Sequence, residues 1–254
     1  MNKESIKAVK AQLFEEGAVH DENWLKALRA DERKGIQKLL SQYDALIEKQ
    51  TTDLNIYTDK RNEEYRLCRT WNFAGIDEVG RGPLAGPVTT AAVIIPEHVM
   101  LPGIDDSKKL SQKERARLYT LIMETCVVGI GEATVEEIDE INIYYATQLA
   151  MKRAIETLPT QPDHLLVDAM TLPVPIRQTS LTKGDQHSAA IAAASIVAKE
   201  TRDRFMRELH ERFPVYGFDQ HVGYGTKRHL DALDDYGPSS EHRLSFRPVA
   251  ERLL

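Results

Sequence analysis

Cysteine is scarce in this chain. Only two, Cys68 and Cys126, occur in 254 residues. They lie far apart and without metal-ligand spacing, so a thiolate metal site is excluded and both read as small packing residues. Long apolar runs are missing too. None approaches the roughly 20 residues that a membrane helix needs. The start, "MNKESIKAVKAQLFEEG", mixes acids and lysines at helical spacing and lacks the apolar core of a signal peptide. A cytoplasmic protein without membrane association is expected. There is also no basic excess. The formal net charge is −6, and the surplus of acid lies wholly after residue 70. That balance argues against a passive basic nucleic-acid binder. It leaves room for an enzyme whose acids hold divalent cations, because bound cations invert the local charge. Internal repeats and low-complexity tracts are absent.

What is present is ordinary for a globular protein, with 42% hydrophobic and 28% charged residues. The length suits one large domain, alone or with a small one. Residues 1–70 are polar and helical. "KGIQKLLSQYDALIEK" puts Ile36, Leu39, Leu40, Tyr43 and Ile47 on one face. A small helical N-terminal extension is expected there, with a boundary near Leu67 to Trp71 and a second domain over 71–254. From Trp71 the texture changes. "FAGID" and "PVTTAAVIIP" are strand-like and close enough to pair antiparallel. "LSQKERARLYTLIMET" is a helix opened by Ser111 and Glu114, and "CVVGIGEATV" is a further strand. Thr134 and Glu137 open a helix that Pro159 stops. "HLLVDAM" is a short buried strand ending in Asp168, followed by a Pro- and Thr-rich loop. "DQHSAAIAAASIVAKETRDRFMRELHERF" then reads as one long helix whose alanines permit close approach to a sheet. This order predicts an α/β fold, a mixed sheet with helices on its faces.

"FAGIDEVGRGPLAGPV" places adjacent acids, Asp77 and Glu78, where an apolar strand meets a glycine-rich bend. Charge is costly there and little side chain covers it. Asp168 ends another strand, and ligand sites in such sheets lie at strand ends. Asp185 sits at or just before the long helix, where the helix dipole favours a carboxylate. Each aspartate alone also reads as a turn former or an N-cap. Together the four acids repel unless cations bind them. Oxygen-only ligands suit Mg²⁺ or Mn²⁺. Such acids commonly hold two ions about 3.5–4 Å apart, which clamp attacking water and leaving oxygen in phosphoryl displacement. In "GRG", Gly80 and Gly82 allow close backbone approach and Arg81 can grip phosphate. A tight turn with a solvated arginine is the plain alternative. "DDSKKLS" sets Ser107 and Lys108 ahead of a helix N-terminus, a phosphate site or a solvated loop. "YGFDQHVGYGTKRH" interleaves aromatic, glycine and basic residues, fit to stack a base or to pack.

In order, "GIDEVGRGPLAGPV", "DDSKKLS", "DEIN", "LLVDAM", "KGDQHSAAIAAASIVAKETRDR", "YGF" and "GYGTKRH" resemble type 2 ribonuclease H, ribonuclease HII, over essentially all of Phe73 to Val249. The resemblance implies the ribonuclease H-like fold, a mixed five-stranded sheet flanked by helices. It implies cleavage of the RNA strand of RNA–DNA hybrids and at single ribonucleotides in duplex DNA, leaving 3′-hydroxyl and 5′-phosphate ends. It puts metal-binding acids on Asp77, Glu78 and Asp168, a fourth active-site acid on Asp185, and the GRG motif on Gly80, Arg81 and Gly82. The junction-sensing tyrosine falls on Tyr224, with Tyr216 as the alternative. Type 3 enzymes usually carry GTG, so Arg81 argues for type 2. The rivals are a type 3 enzyme and a non-catalytic hybrid-binding protein of the same fold. A monomer is expected.

Overall fold

The computed structural model describes residues 4–15, 17 and 20–253. It divides into two compact units, residues 1–56 and 57–254. In the first, α1 (Ile6–Leu13), α2 (Glu22–Arg29) and the greater part of α3 (Lys34–Cys68) enclose a small core. Val9, Leu13, Leu28, Ile36, Leu39 and Leu40 form it. Ser5 and Asp21 cap α1 and α2 by accepting backbone N–H groups. The division falls inside α3, between Ile56 and Tyr57. The boundary expected near residues 67–71 coincides with the end of that helix.

The second unit is built on β1 (Phe73–Val79), β2 (Val88–Ile94), β3 (Val127–Ala133), β4 (His164–Asp168) and β5 (Arg177–Leu181). The sheet order is β3-β2-β1-β4-β5. β1 to β3 form an antiparallel meander, while β4 and β5 add in parallel to β1. This is the mixed five-stranded sheet that the resemblance implies. β5, "RQTSL", lies in the segment read from sequence as a loop. It is a short, polar edge strand with no apolar alternation, so nothing in its residues announces it.

Side chains alternate across the sheet. Ala74, Ile76, Ala92, Ile94, Leu165 and Val167 pack on one face with Met151, Ala154 and Ile155 of α5 (Val135–Glu156). Phe73, Ala91, Val93 and Leu166 pack on the other with α4 (Gln112–Thr125) and α7 (Ala189–Arg212). Gly75 explains how close α7 comes. A Cβ there would lie 2.1 Å from the Ala190 carbonyl carbon. Ser111 caps α4, and Thr134 with Glu137 completes a capping box on α5. The long helix expected from "DQHSAAI" is broken. Gly184–His187 make a one-turn helix, α6, and Ser188 caps α7 by accepting from the Ile191 N–H at 3.1 Å. Three short helices finish the chain: α8 (Phe218–His221), α9 (Lys227–Tyr236) and α10 (Arg247–Ala250).

Candidate active site

Strand parity decides where the acids go. Asp77 follows Phe73 and Gly75 on the face that meets α7, and Asp168 follows Leu166 on the same face. Ile76 pairs with Val167 across parallel β1 and β4. Asp77 and Asp168 therefore take the next positions of adjacent strands, side by side at the sheet's end. Asp77 is buried, and its Oδ1 accepts the Glu78 N–H at 2.7 Å. Asp168 Oδ1 accepts the Gly184 N–H at 2.7 Å, which ties β4 to the helical turn carrying Asp185. Lys183, in the left-handed region at φ 55°, bends the chain into that turn.

The acids feel one another. Burial, then Glu78 and Asp168, push the Asp77 carboxyl well above its ordinary range. Burial also raises Glu78, against the Arg81 guanidinium, whose Nη1 stands 3.3 Å from Glu78 Oε1. Burial, Asp106 and Asp168 raise Asp185. Among the described residues no group of three or more His, Cys, Asp or Glu side chains stands ready-made around a metal position. The donor chemistry nevertheless fits a hard divalent cation. The donors are carboxylate oxygens, and a cation would offset the burial and the repulsion that raise Asp77, Glu78 and Asp185.

The GRG turn hangs on two buried arginines that the sequence did not single out. Arg243 donates to the carbonyls of Arg81 (3.0 Å), Gly80 (2.6 Å) and Gly86 (2.8 Å). Arg202 of α7 donates to Pro87, Val222 and Ala85, each at 2.9 Å. Burial pushes these guanidiniums down to about 9 and about 10. Gly80, at φ +91°, has Arg202 Nε where a Cβ would lie 2.3 Å away, so only glycine fits. The peptides are trans among the described residues. With the Gly80 and Arg81 carbonyls turned to Arg243, the N–H groups of Arg81 and Gly82 point the opposite way.

Tyr224 is 45% exposed, and its ring edge is the nearest group to the empty Cβ position of Gly82. Tyr216 is buried, with its hydroxyl donating to the Gly237 carbonyl at 2.7 Å, so it belongs to a core. Lys108 is exposed, and its charge acts on both Glu78 and Asp185. Ser107 differs from its neighbour. It is buried, and its hydroxyl bonds Ser195 Oγ at 2.9 Å rather than facing solvent. Ser195 also acts on the Asp77 carboxyl, holding it down against the larger effect of burial. The structure thus gathers Asp77, Glu78, Asp168, Asp185, the GRG turn, Lys108 and Tyr224 around one strand end. Arg202, Arg243 and Ser195 were missed because nothing in a sequence marks a polar residue as buried.

A family model for ribonuclease HII matches residues 74–249. The chain belongs to the ribonuclease HII family. A second model, the ribonuclease HII N-terminal domain, matches residues 5–67. The ribonuclease HII of Halalkalibacterium halodurans is 49% identical over 97% of this chain and 95% of its own length. That of Bacillus cytotoxicus is 47% identical over 100% of this chain and 98% of its own. The crystal structure of ribonuclease H2 from Pyrococcus horikoshii superposes with a TM-score of 0.62 at 25% identity, covering 71% of this chain and 96% of that one. As a ribonuclease HII the protein is a ribonuclease H endonuclease, of a family that depends on divalent metal and acts on RNA–DNA hybrids. No helix among the described residues is long and apolar enough to cross a membrane.

Proposed function

We propose that this ribonuclease HII cleaves the RNA strand of RNA–DNA hybrids and cuts at ribonucleotides embedded in duplex DNA. The products carry 5′-phosphate and 3′-hydroxyl ends, and the ribonucleotide stays on the 5′-phosphate fragment. The observation that carries the reading is the juxtaposition of strand-end acids Asp77 and Asp168 with a glycine turn whose N–H groups face away from Arg243. A 2′-hydroxyl is the covalent mark of a ribonucleotide in DNA. Backbone donors of Arg81 and Gly82 read it without reading base identity, as removal of stray ribonucleotides or of primers requires. Tyr224 supports this from the other side, by stacking its exposed ring on the sugar or base next to the junction. Arg81 and Lys108 hold phosphates.

Asp77, Glu78, Asp168 and Asp185 would hold Mg²⁺ or Mn²⁺. When bound, such ions supply an activated water and charge neutralisation on the phosphate. The chain's own part is to hold those carboxylates in place. The Glu78 N–H orients Asp77, and the Gly184 N–H orients Asp168. The enzyme works in the cytoplasm as a monomer. The test compares duplex DNA holding one ribonucleotide, duplex DNA holding four in a row, and all-DNA duplex, with and without Mg²⁺. Metal-dependent cutting at the single ribonucleotide supports the reading. Cutting confined to runs of four points to type 3 behaviour, and binding without cutting points to a non-catalytic binder.

A further inference from the structure

The last turns of α3 belong by sequence to the matched N-terminal domain, yet residues 57–68 are part of the compact unit that holds the acids. They bury one face there, Tyr57, Lys60, Arg61, Glu64 and Cys68, at helical spacing. Three of these are charged, which a packing face does not need. Lys60 is 8% exposed, and its Nζ donates to the Asp185 backbone carbonyl at 3.1 Å. Its charge also acts with the carboxylates of Asp105 and Asp185. One turn on, Glu64 is 1% exposed and accepts the Ser188 hydroxyl at 2.6 Å and the Ala190 N–H at 2.8 Å. Arg61 balances Glu64 at 2.8 Å, donates to the Ile95 carbonyl at 2.9 Å, and lies over the rings of Trp71 and Phe73.

The turn carrying Asp185 is thus pinned on both sides. Lys60 holds its start and Glu64 holds Ser188 at its end. A four-residue helix entered through a left-handed lysine does not hold itself, because one turn does not offset the cost of helix nucleation. Burying an ammonium is costly, and an apolar side chain of the same length would pack with less penalty. We propose that Lys60, set by the Glu64 contact one turn away, is a positioning residue that places Asp185 in the active site. The end of the N-terminal helix is on this account a working part of the catalytic apparatus. The inference rests on Asp185 being an active-site acid.

The test uses full-length protein with Lys60→Met, Lys60→Arg and Asp185→Asn. Thermal melting reports folding, steady-state kinetics separate kcat from KM, and calorimetric titration with Mg²⁺ reports metal binding without turnover. Lys60→Met is expected to melt at or above the wild-type temperature, to lose about tenfold or more in Mg²⁺ affinity and in kcat, and to keep KM. Lys60→Arg restores most of both. If Lys60→Met does not fold, Lys60→Gln is read the same way, since its side chain is one atom shorter than lysine's, falls short of the Asp185 carbonyl and carries no charge. Mg²⁺ affinity and kcat unchanged in a folded Lys60→Met or Lys60→Gln protein would overturn the proposal and leave Lys60 a packing residue. Wild-type turnover and Mg²⁺ affinity in Asp185→Asn would instead remove the reading of Asp185 itself, and the role of Lys60 with it.

Discussion

His229 and His242 face each other through their Nε2 atoms at 3.0 Å, both buried. Ser239 donates its backbone N–H to His242 Nδ1 at 2.9 Å, so His242 carries its proton on Nε2 and donates it to His229. The His229 proton then lies on Nδ1, which donates to the Tyr224 carbonyl at 3.0 Å. The bonding is consistent for two neutral rings. It links the C-terminal segment, whose next residue Arg243 carries the GRG turn, to the loop of the exposed tyrosine.

Burial holds both imidazoles down at about 4, against an ordinary 6.5. Between those values the unfolded chain binds more protons than the folded one. The stabilisation is complete above about pH 6.5 and is lost as pH falls toward 4, on the order of 3 kcal/mol for one imidazole. Melting curves of wild type and His242→Asn from pH 4 to 7 check this. The wild type is expected to lose its advantage over that window. Parallel curves would contradict the neutral pair.

Asp77→Asn should abolish cleavage and stabilise the metal-free protein. Its folded carboxyl is raised, so the ionised form is opposed by burial and by Glu78 and Asp168. For such an acid stability is greatest at low pH and falls as pH rises through the folded value, so at pH 7 removing the charge helps. Turnover within tenfold of wild type, or a lower melting temperature in EDTA at pH 7, would count against the assignment.

Divalent cation should act the opposite way on the wild type. Mg²⁺ or Mn²⁺ is expected to raise its melting temperature by several degrees at saturating concentration, and EDTA to reverse it. In Asp168→Asn the shift should shrink. An equal shift in both proteins would place the cation elsewhere.

Arg81→Ala should weaken substrate binding and blunt discrimination for single ribonucleotides while leaving Mg²⁺ binding in place. The guanidinium is exposed and pairs loosely with Glu78, so folding should be unaffected. Unchanged cutting at an embedded ribonucleotide at physiological salt would make Arg81 a surface residue only. Arg243→Met, by contrast, is expected to lower stability by about 3 kcal/mol or more, because it strands buried carbonyls. It should lose the preference for single ribonucleotides as the turn relaxes. Stability and preference both at wild-type levels would refute that role.

How much of this could be read from the chain depends on the kind of residue. Asp77 and Asp168 were visible because each interrupts the end of an apolar run, where a charge has no ordinary reason to sit. Their convergence follows from parity on adjacent strands. β5 was invisible because "RQTSL" is polar and gains its pairing from β4. The break at Ser188 was hidden by the continuous alanine-rich pattern, which suits a helix on both sides of it. Arg202 in "KETRDR", and Lys60 and Glu64 in "DKRNEE", look like solvated helix faces. Only packing shows that they are buried and bonded. Ser107 was expected at substrate and faces inward to Ser195, a direction that a loop sequence does not encode.

The most direct measurement is a strand-resolved cleavage assay on duplex DNA carrying one ribonucleotide, in Mg²⁺, with the product ends identified. The account predicts a single cut that leaves a 3′-hydroxyl on the upstream DNA and a 5′-phosphate on the fragment beginning with the ribonucleotide, and no product from Asp77→Asn or from the all-DNA duplex. A cut on the other side of the ribonucleotide, a 2′,3′-cyclic phosphate end, or equal cutting by Asp77→Asn would contradict it.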